Sequence, residues 1–290
     1  MSVETEILEP DQDEDMTPSE AAPLTDATLF KRATKFWREI KNKSPEAKRQ
    51  YKLHLVSRGF GPELVEVLFG AKELFDLQQT LDQTEKSTES GREQRREILV
   101  NLTEIQYLLT KFILGRTHNR QGLIEFWDLF DRAAGPNTQE ARSRRRGLLS
   151  QVAAHKILQA LGLKPELATP AQDAFDAVDL WDGHEGAYQI AGAAGVARPD
   201  LLEVEEVAPV SSRVSEVTAN RAGKKYYSAD FNLERKRRNF SFKLNELRQR
   251  SNEPITGHMM VIPEPMIDSV TGEPSTEPIE FFRAKLGKIN

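Results

Sequence analysis

Apolar residues in the first half of the chain recur at three- and four-residue steps, the spacing that lines up one face of an α-helix. From Asp26 onward Leu29, Phe30, Ala33, Phe36, Trp37 and Ile40 form one continuous stripe. Ser44 and Pro45 read as the N-cap and first turn of a second helix, which Tyr51 and Leu55 continue and Gly59 and Gly61 stop. Pro62 opens a third, bearing Val67, Leu68, Leu74, Phe75 and Leu81. Beyond a polar gap around Lys86 to Gly91, Ile98, Leu102, Ile105, Leu109, Phe112 and Ile113 mark a fourth. Leu123, Phe126, Trp127 and Phe130 mark a fifth, and Gly135, Pro136 and Asn137 end this all-helical region. Its aromatic stripes are read as core.

After residue 137 the period changes. A helix runs through Leu148, Leu149, Val152, Ile157 and Leu161 to a C-cap at Gly162, with Pro165 beyond. Phe175 to Trp181 and Ala187 to Ile190 read as strands joined by a glycine-bearing hairpin loop, residues 182–186. Leu201 to Val207 reads as a further strand, and the rest of 191–230 as loop. A basic amphipathic helix with Leu233, Phe240, Leu244 and Leu247 precedes the apolar strand Met259 to Ile262. Ile279, Phe282 and Leu286 mark a last helix after turn chemistry at Thr271 to Pro274. The fold class is thus α + α/β, a helical N-terminal region followed by an α/β domain with a small sheet. The expected organisation is an acidic tail over 1–24, a helical domain over 25–136 and an α/β domain over 137–290.

Charge sharpens this division. The formal charge of −5 conceals a tail with eight acids and no Lys or Arg, so the rest of the 290-residue chain carries +3. The tail has too little apolar surface to offset the entropy of ordering and reads as disordered, a solubilising segment. Positive charge clusters at Arg142, Arg144, Arg145 and Arg146, and again at Arg235, Lys236, Arg237 and Arg238, a pattern that fits phosphate contact. The absence of cysteine excludes disulfides, thiolate zinc sites, iron–sulfur clusters and cysteine nucleophiles. The five histidines are scattered, with no His-Glu-x-x-His pair, and neither a phosphate-binding glycine loop nor a Gly-x-Ser-x-Gly elbow is present. Without an export signal or an apolar run of about 18 residues, the expectation is a soluble, cytoplasmic protein with no membrane partner.

One constellation carries chemistry. If the loop 182–186 is symmetric about His184, Trp181 faces Ala187 and Asp179 lies directly opposite Gln189. Facing residues of a hairpin have Cβ atoms about 4.5 to 5.5 Å apart, so two oxygen-bearing side chains converge there, a geometry suited to a hard metal ion. Strand alternation also puts Ala191 on this face.

Residues 147–262, from the helix at Gly147 to His155 through the strand ending at Trp181 and the strand at Tyr188 to Ala191, resemble the PD-(D/E)xK, restriction-endonuclease-like nuclease superfamily. The resemblance implies a restriction-endonuclease-like α/β core with a small mixed sheet. It also implies a Mg²⁺ site at the first acid, here Asp179. Gln189 stands where the family has a second metal-binding acid, Ala191 where it has the lysine that positions or activates water, and Gln151 where active members often have a helical glutamate. With neutral side chains at these three places, the resemblance implies a degenerate site that has lost cleavage. The expected protein binds nucleic acid, DNA rather than RNA, or a protein partner, with Arg144, Arg145, Arg146, Arg235, Lys236 and Arg238 as phosphate contacts. Two alternatives stand beside it. One is an active Mg²⁺-dependent endonuclease using relocated ligands, for which Asp173, Asp176, Glu185, Lys224, Lys225 and Lys243 are available. The other is a non-catalytic assembly protein. If the strand begins as early as Phe175, Asp176 points to the face opposite Asp179.

Overall fold

A computed structural model describes residues 26–183, 185–193, 196–203, 218–219, 225–226, 229–252 and 254–287. The acidic tail, His184 and Lys224 lie outside the described residues. Helices α1 (Asp26–Lys31), α2 (Ala33–Ile40), α3 (Pro45–Ser57), α4 (Pro62–Gln83), α5 (Glu89–Leu114) and α6 (Arg120–Ala134) form the N-terminal half. Three of them, α3, α5 and α6, start at a side-chain N-cap. Ser44 Oγ accepts from Ala47 N, Thr88 Oγ1 from Gly91 N, and Asn119 Oδ1 from Gly122 N.

The first stripe is not one helix as its spacing suggests. The chain breaks at Arg32, where ψ is 0°, and the two pieces serve different neighbours. In α1, Phe30 packs edge-on against Phe112 of α5, while in α2 the indole of Trp37 donates to the Leu68 carbonyl of α4 at 2.9 Å. A buried indole N–H needs an acceptor, and the bend supplies it.

Helix α7 (Thr138–Ala160) joins the halves. Behind it lies a five-stranded mixed sheet in the order β1-β2-β3-β7-β4, from β1 (Glu166–Leu167), β2 (Leu180–Trp181), β3 (Gly186–Ala193), β4 (Asp200–Glu203) and β7 (Thr256–Pro263). A separate two-stranded piece pairs β5 (Thr218–Ala219) with β6 (Lys225–Tyr226). Strands β3 and β7 run parallel and the other pairs antiparallel. A parallel pair needs a crossover, and helix α8 (Ala229–Ser251) lies within it. Helix α9 (Thr276–Leu286) closes the chain.

Strand alternation divides the sheet between two helices. Leu180, Tyr188, Ile190, Met260 and Ile262 face α7 and join one core with Val152 of α7 and with Phe30 and Phe126 of the helical half. Ala187, Ala191, Met259 and Val261 face α8, against Phe240 and Leu244. Strand β7 is buried on both faces, which is why Met259 to Ile262 reads as an unbroken apolar run. At Gly192 a Cβ would fall 2.1 Å from Ser150 Oγ, so only glycine lets α7 lie this close to β3.

The expected strand from Phe175 to Trp181 is mostly not a strand. Residues Gln172–Asp176 form a π-helical turn that ends at Ala177 in the left-handed region, φ 58°, leaving only Leu180 and Trp181 extended. Thr169 and Gln172 cap this turn reciprocally, each side chain bonding the other's backbone N–H at 2.9 and 3.2 Å. Buried Asp176 is fixed by an ion pair with Arg250 of α8. The pairing register holds as the loop symmetry implies, with Trp181 opposite Ala187. The expected strand from Leu201 is seen as Asp200–Glu203, and residues 204–207 lie outside the described residues.

The segment between β7 and α9 ties the halves together. Asp268 accepts from Val270 N, Thr271 N, Thr271 Oγ1 and the Arg120 guanidinium at 2.8 to 3.1 Å, and Trp127 of α6 donates to the Val270 carbonyl at 2.8 Å. Partial burial alone would raise the Asp268 pKa, but these donors outweigh it and hold the carboxyl well below the usual carboxylate range. Asp268→Ala is therefore expected to destabilise the protein by about 1 to 3 kcal/mol in urea unfolding near neutral pH. That difference should shrink as pH falls below about 4, where the unfolded chain's carboxyl takes up a proton while the folded one still resists it. An equal loss at every pH contradicts this role.

Candidate functional site

Asp179 sits between the π-helical turn and β2, 6% exposed, with its backbone N–H donating to the Tyr188 carbonyl at 2.8 Å. Its side chain meets Gln189 as the register requires. Oδ2 accepts from Gln189 Nε2 at 2.5 Å and from the Ile190 backbone N–H at 2.6 Å. Oδ1 accepts from Gln151 Nε2 of α7 at 3.3 Å. The orientation of the Gln151 amide is fixed from behind, because its Oε1 accepts from Thr110 Oγ1 of α5 at 2.9 Å. Three N–H donors thus occupy a carboxylate that has about four lone-pair sites.

A second carboxylate reaches the same place. The π-helical turn brings half-buried Asp173 beside Asp179, and the Tyr107 hydroxyl of α5 lies against both, donating to the Asp179 carbonyl at 3.4 Å and hydrogen-bonding the Asp173 carboxyl. Burial raises the Asp173 pKa first and the Asp179 charge raises it further. Tyr107 and Lys236 oppose this, and the carboxyl ends up pushed up to about 8. Burial likewise raises Asp179, against the pull of Ile190 N–H, Lys236, Gln189 and Gln151. The Tyr107 hydroxyl is held far above its usual range by burial and by the two acids. At neutral pH the acid pair therefore retains a proton.

Above this floor opens a cleft of about 830 Å³. Arg144 and Arg146 of α7 line one side, and Arg235 and Lys236 of α8 the other. Arg144 is held by Glu140 at 2.7 Å and by Gln78, while Arg146 stands 3.7 Å from Glu264. Ala191 also lines the cleft, 1% exposed and packed in the core beneath α8. Lys236 precedes Phe240 by one helical turn, and Phe240 belongs to that same core, so the helix carries its ammonium toward the end of the sheet that holds Ala191.

Two expected phosphate contacts do not join the cleft. Arg145 turns to the other side of α7, stacks over the Trp127 ring at 4.5 Å and donates to the Ser269 carbonyl at 2.6 Å. A helix rotates by about 100° per residue, so three consecutive arginines cannot share one face. Arg238 is exposed and paired with Glu234 at 2.7 Å. Of the side chains available for relocation, Asp176 pairs with Arg250, and Lys243 stands 3.8 Å from Glu246. Glu185 is exposed in the hairpin loop. The positive charge that reaches the acids is Lys236, read from the sequence as a phosphate contact. Tyr107 and Thr110 do not stand out in the sequence as site residues, although Thr103, Tyr107 and Thr110 place polar groups at i, i+4 and i+7 along the buried stripe of α5.

As arranged, the residues do not fit a metal cage. Gln151 and Gln189 aim N–H groups, not lone pairs, at Asp179, and among the described residues no three His, Asp or Glu side chains converge. Among the described residues, too, no helix is long and apolar enough to cross a membrane. Comparison with family models, with curated proteins and with solved structures returns no match.

The raised Asp173 pKa fixes the sign of a pH effect. Between about pH 4, where an unfolded carboxyl ionises, and about 8, the folded state holds a proton that the unfolded chain has lost. Stability should therefore fall as pH rises through this window. Asp173→Asn should flatten the slope in urea unfolding at constant ionic strength. A slope that the substitution leaves unchanged contradicts the assignment.

Proposed function

We propose that this chain binds nucleic acid in the cleft between α7 and α8 and does not cleave it. The carrying observation is the state of Asp179. At the floor of a cleft lined by four cationic side chains, its carboxylate is bonded by three N–H donors. Arginine and lysine facing one another across a groove suit a polyanion with regularly spaced phosphates, and such contacts dominate nucleic-acid affinity. Phosphodiester hydrolysis as the resembled superfamily performs it, by contrast, uses a metal cation to generate the nucleophile and to stabilise developing charge. The amides of Gln151 and Gln189 satisfy Asp179 without one. The sequence of α7, a short hairpin, α8 and a parallel strand β7 around a mixed sheet supports reading the C-terminal half as a degenerate restriction-endonuclease-like core.

A second reading has its own observation. Asp173 beside Asp179 supplies a second carboxylate, and Lys236 supplies an ammonium from a helix instead of from β3. That is the arrangement expected of a Mg²⁺-dependent endonuclease with relocated ligands.

Fluorescence anisotropy with labelled DNA and RNA across a salt series tests the first reading. Binding should weaken steeply with salt. Arg146→Glu combined with Lys236→Glu should lower affinity by about tenfold or more and reduce the salt slope by about one per lost phosphate contact. Incubation with Mg²⁺ or Mn²⁺ should leave the nucleic acid intact. Cleavage that disappears in Asp179→Ala establishes the second reading instead.

A further inference from the structure

Helix α8 carries an apolar ring that the core does not use. Arg235, Arg238, Phe242, Glu246 and Gln249 follow one another at three- and four-residue steps along its exposed face, while Phe240 and Leu244 face the sheet. Phe242 is 60% exposed and is the one aromatic ring among the exposed large apolar side chains of the described residues. A single exposed apolar residue ordinarily needs no explanation. Here its position supplies one. Seven residues, roughly 10 Å of helix, separate it from Arg235, which lines the cleft, and the two lie on the same stripe.

The cleft constrains the ligand independently. At about 830 Å³ it has the dimensions of a site for a small molecule or a few nucleotides, and Asp179 lies buried at its floor. A base-paired duplex would touch only the rim, and its bases, already stacked on one another, would offer Phe242 no face. An unpaired strand offers both its phosphates and its open base faces.

We propose that the ligand is a single-stranded nucleic acid, its phosphates drawn toward Arg146, Arg235 and Lys236 and a base stacked on Phe242. This rests on the binding function proposed above and narrows it to a substrate class. Stacking on an aromatic platform is tolerant of sequence, so the strand is held by shape and charge, without a base code.

The test uses the full chain and three labelled probes at matched salt: an oligothymidylate, an oligouridylate and a DNA duplex of the same length. Either single strand should bind more tightly than the duplex, and their order separates DNA from RNA. Phe242→Ala should weaken single-strand binding about tenfold and leave the weak duplex binding unchanged. Phe242→Trp should retain affinity and add indole emission that the oligonucleotide quenches, which also guards against a misfolded alanine variant. Equal single-strand binding by Phe242→Ala and wild type, or tighter binding of the duplex, overturns the proposal while the cleft reading survives, provided Arg146→Glu still weakens binding. No salt-dependent binding of any probe takes down both.

Discussion

A carboxylate buried where helix, turn and sheet meet must be compensated, and the arrangement around Asp179 follows from that requirement. Transfer of an unpaired charge out of water costs several kcal/mol, more than a marginally stable domain spares at one position. The compensation comes from three donors on two elements: the amide of Gln151 on α7, and the amide of Gln189 and the N–H of Ile190 on β3. Because Gln151 is itself braced by Thr110, the helical half and the sheet are joined through one polar chain as well as through the apolar core. Loss of any member would leave buried donors or a buried charge without a partner.

This arrangement explains why the cleft has both a cationic rim and an acidic floor. Arg144 and Arg146 sit two residues apart on α7, and Arg235 and Lys236 adjoin on α8. The rim is thus built from two helix segments that meet over Asp179 and Gln189. Lys236 faces inward and lowers the cost of two neighbouring acids, while Asp173 answers the remaining repulsion by keeping its proton. The floor is therefore close to neutral at its deepest point, and the rim supplies the attraction for an anion.

Much of this was legible before any coordinates. The five-residue loop fixed the hairpin register, so the meeting of Asp179 and Gln189 followed from counting. Alternation along β3 correctly sorted Ala187 and Ala191 away from Tyr188 and Ile190. The approach of Asp173 was not legible, because it depends on a π-helical turn closed by Ala177 at positive φ, a conformation that alanine does not advertise. The break at Arg32 was equally silent, since both halves of the stripe keep helical spacing and only the acceptor for Trp37 requires the bend. The arginine run was legible in charge but not in direction. Separating Arg145 from Arg144 and Arg146 requires knowing which face of α7 is buried and that Trp127 waits on the other side.

The proposed non-cleaving site depends on amide hydrogens standing at Asp179 where a cation would bind. A crystal structure determined in the presence of Mn²⁺, whose anomalous signal marks its position, tests this most directly. Gln151 and Gln189 are expected to remain bonded to Asp179, with no manganese between that carboxylate and Asp173. Manganese bridging the two acids, with Gln189 swung aside, would contradict it.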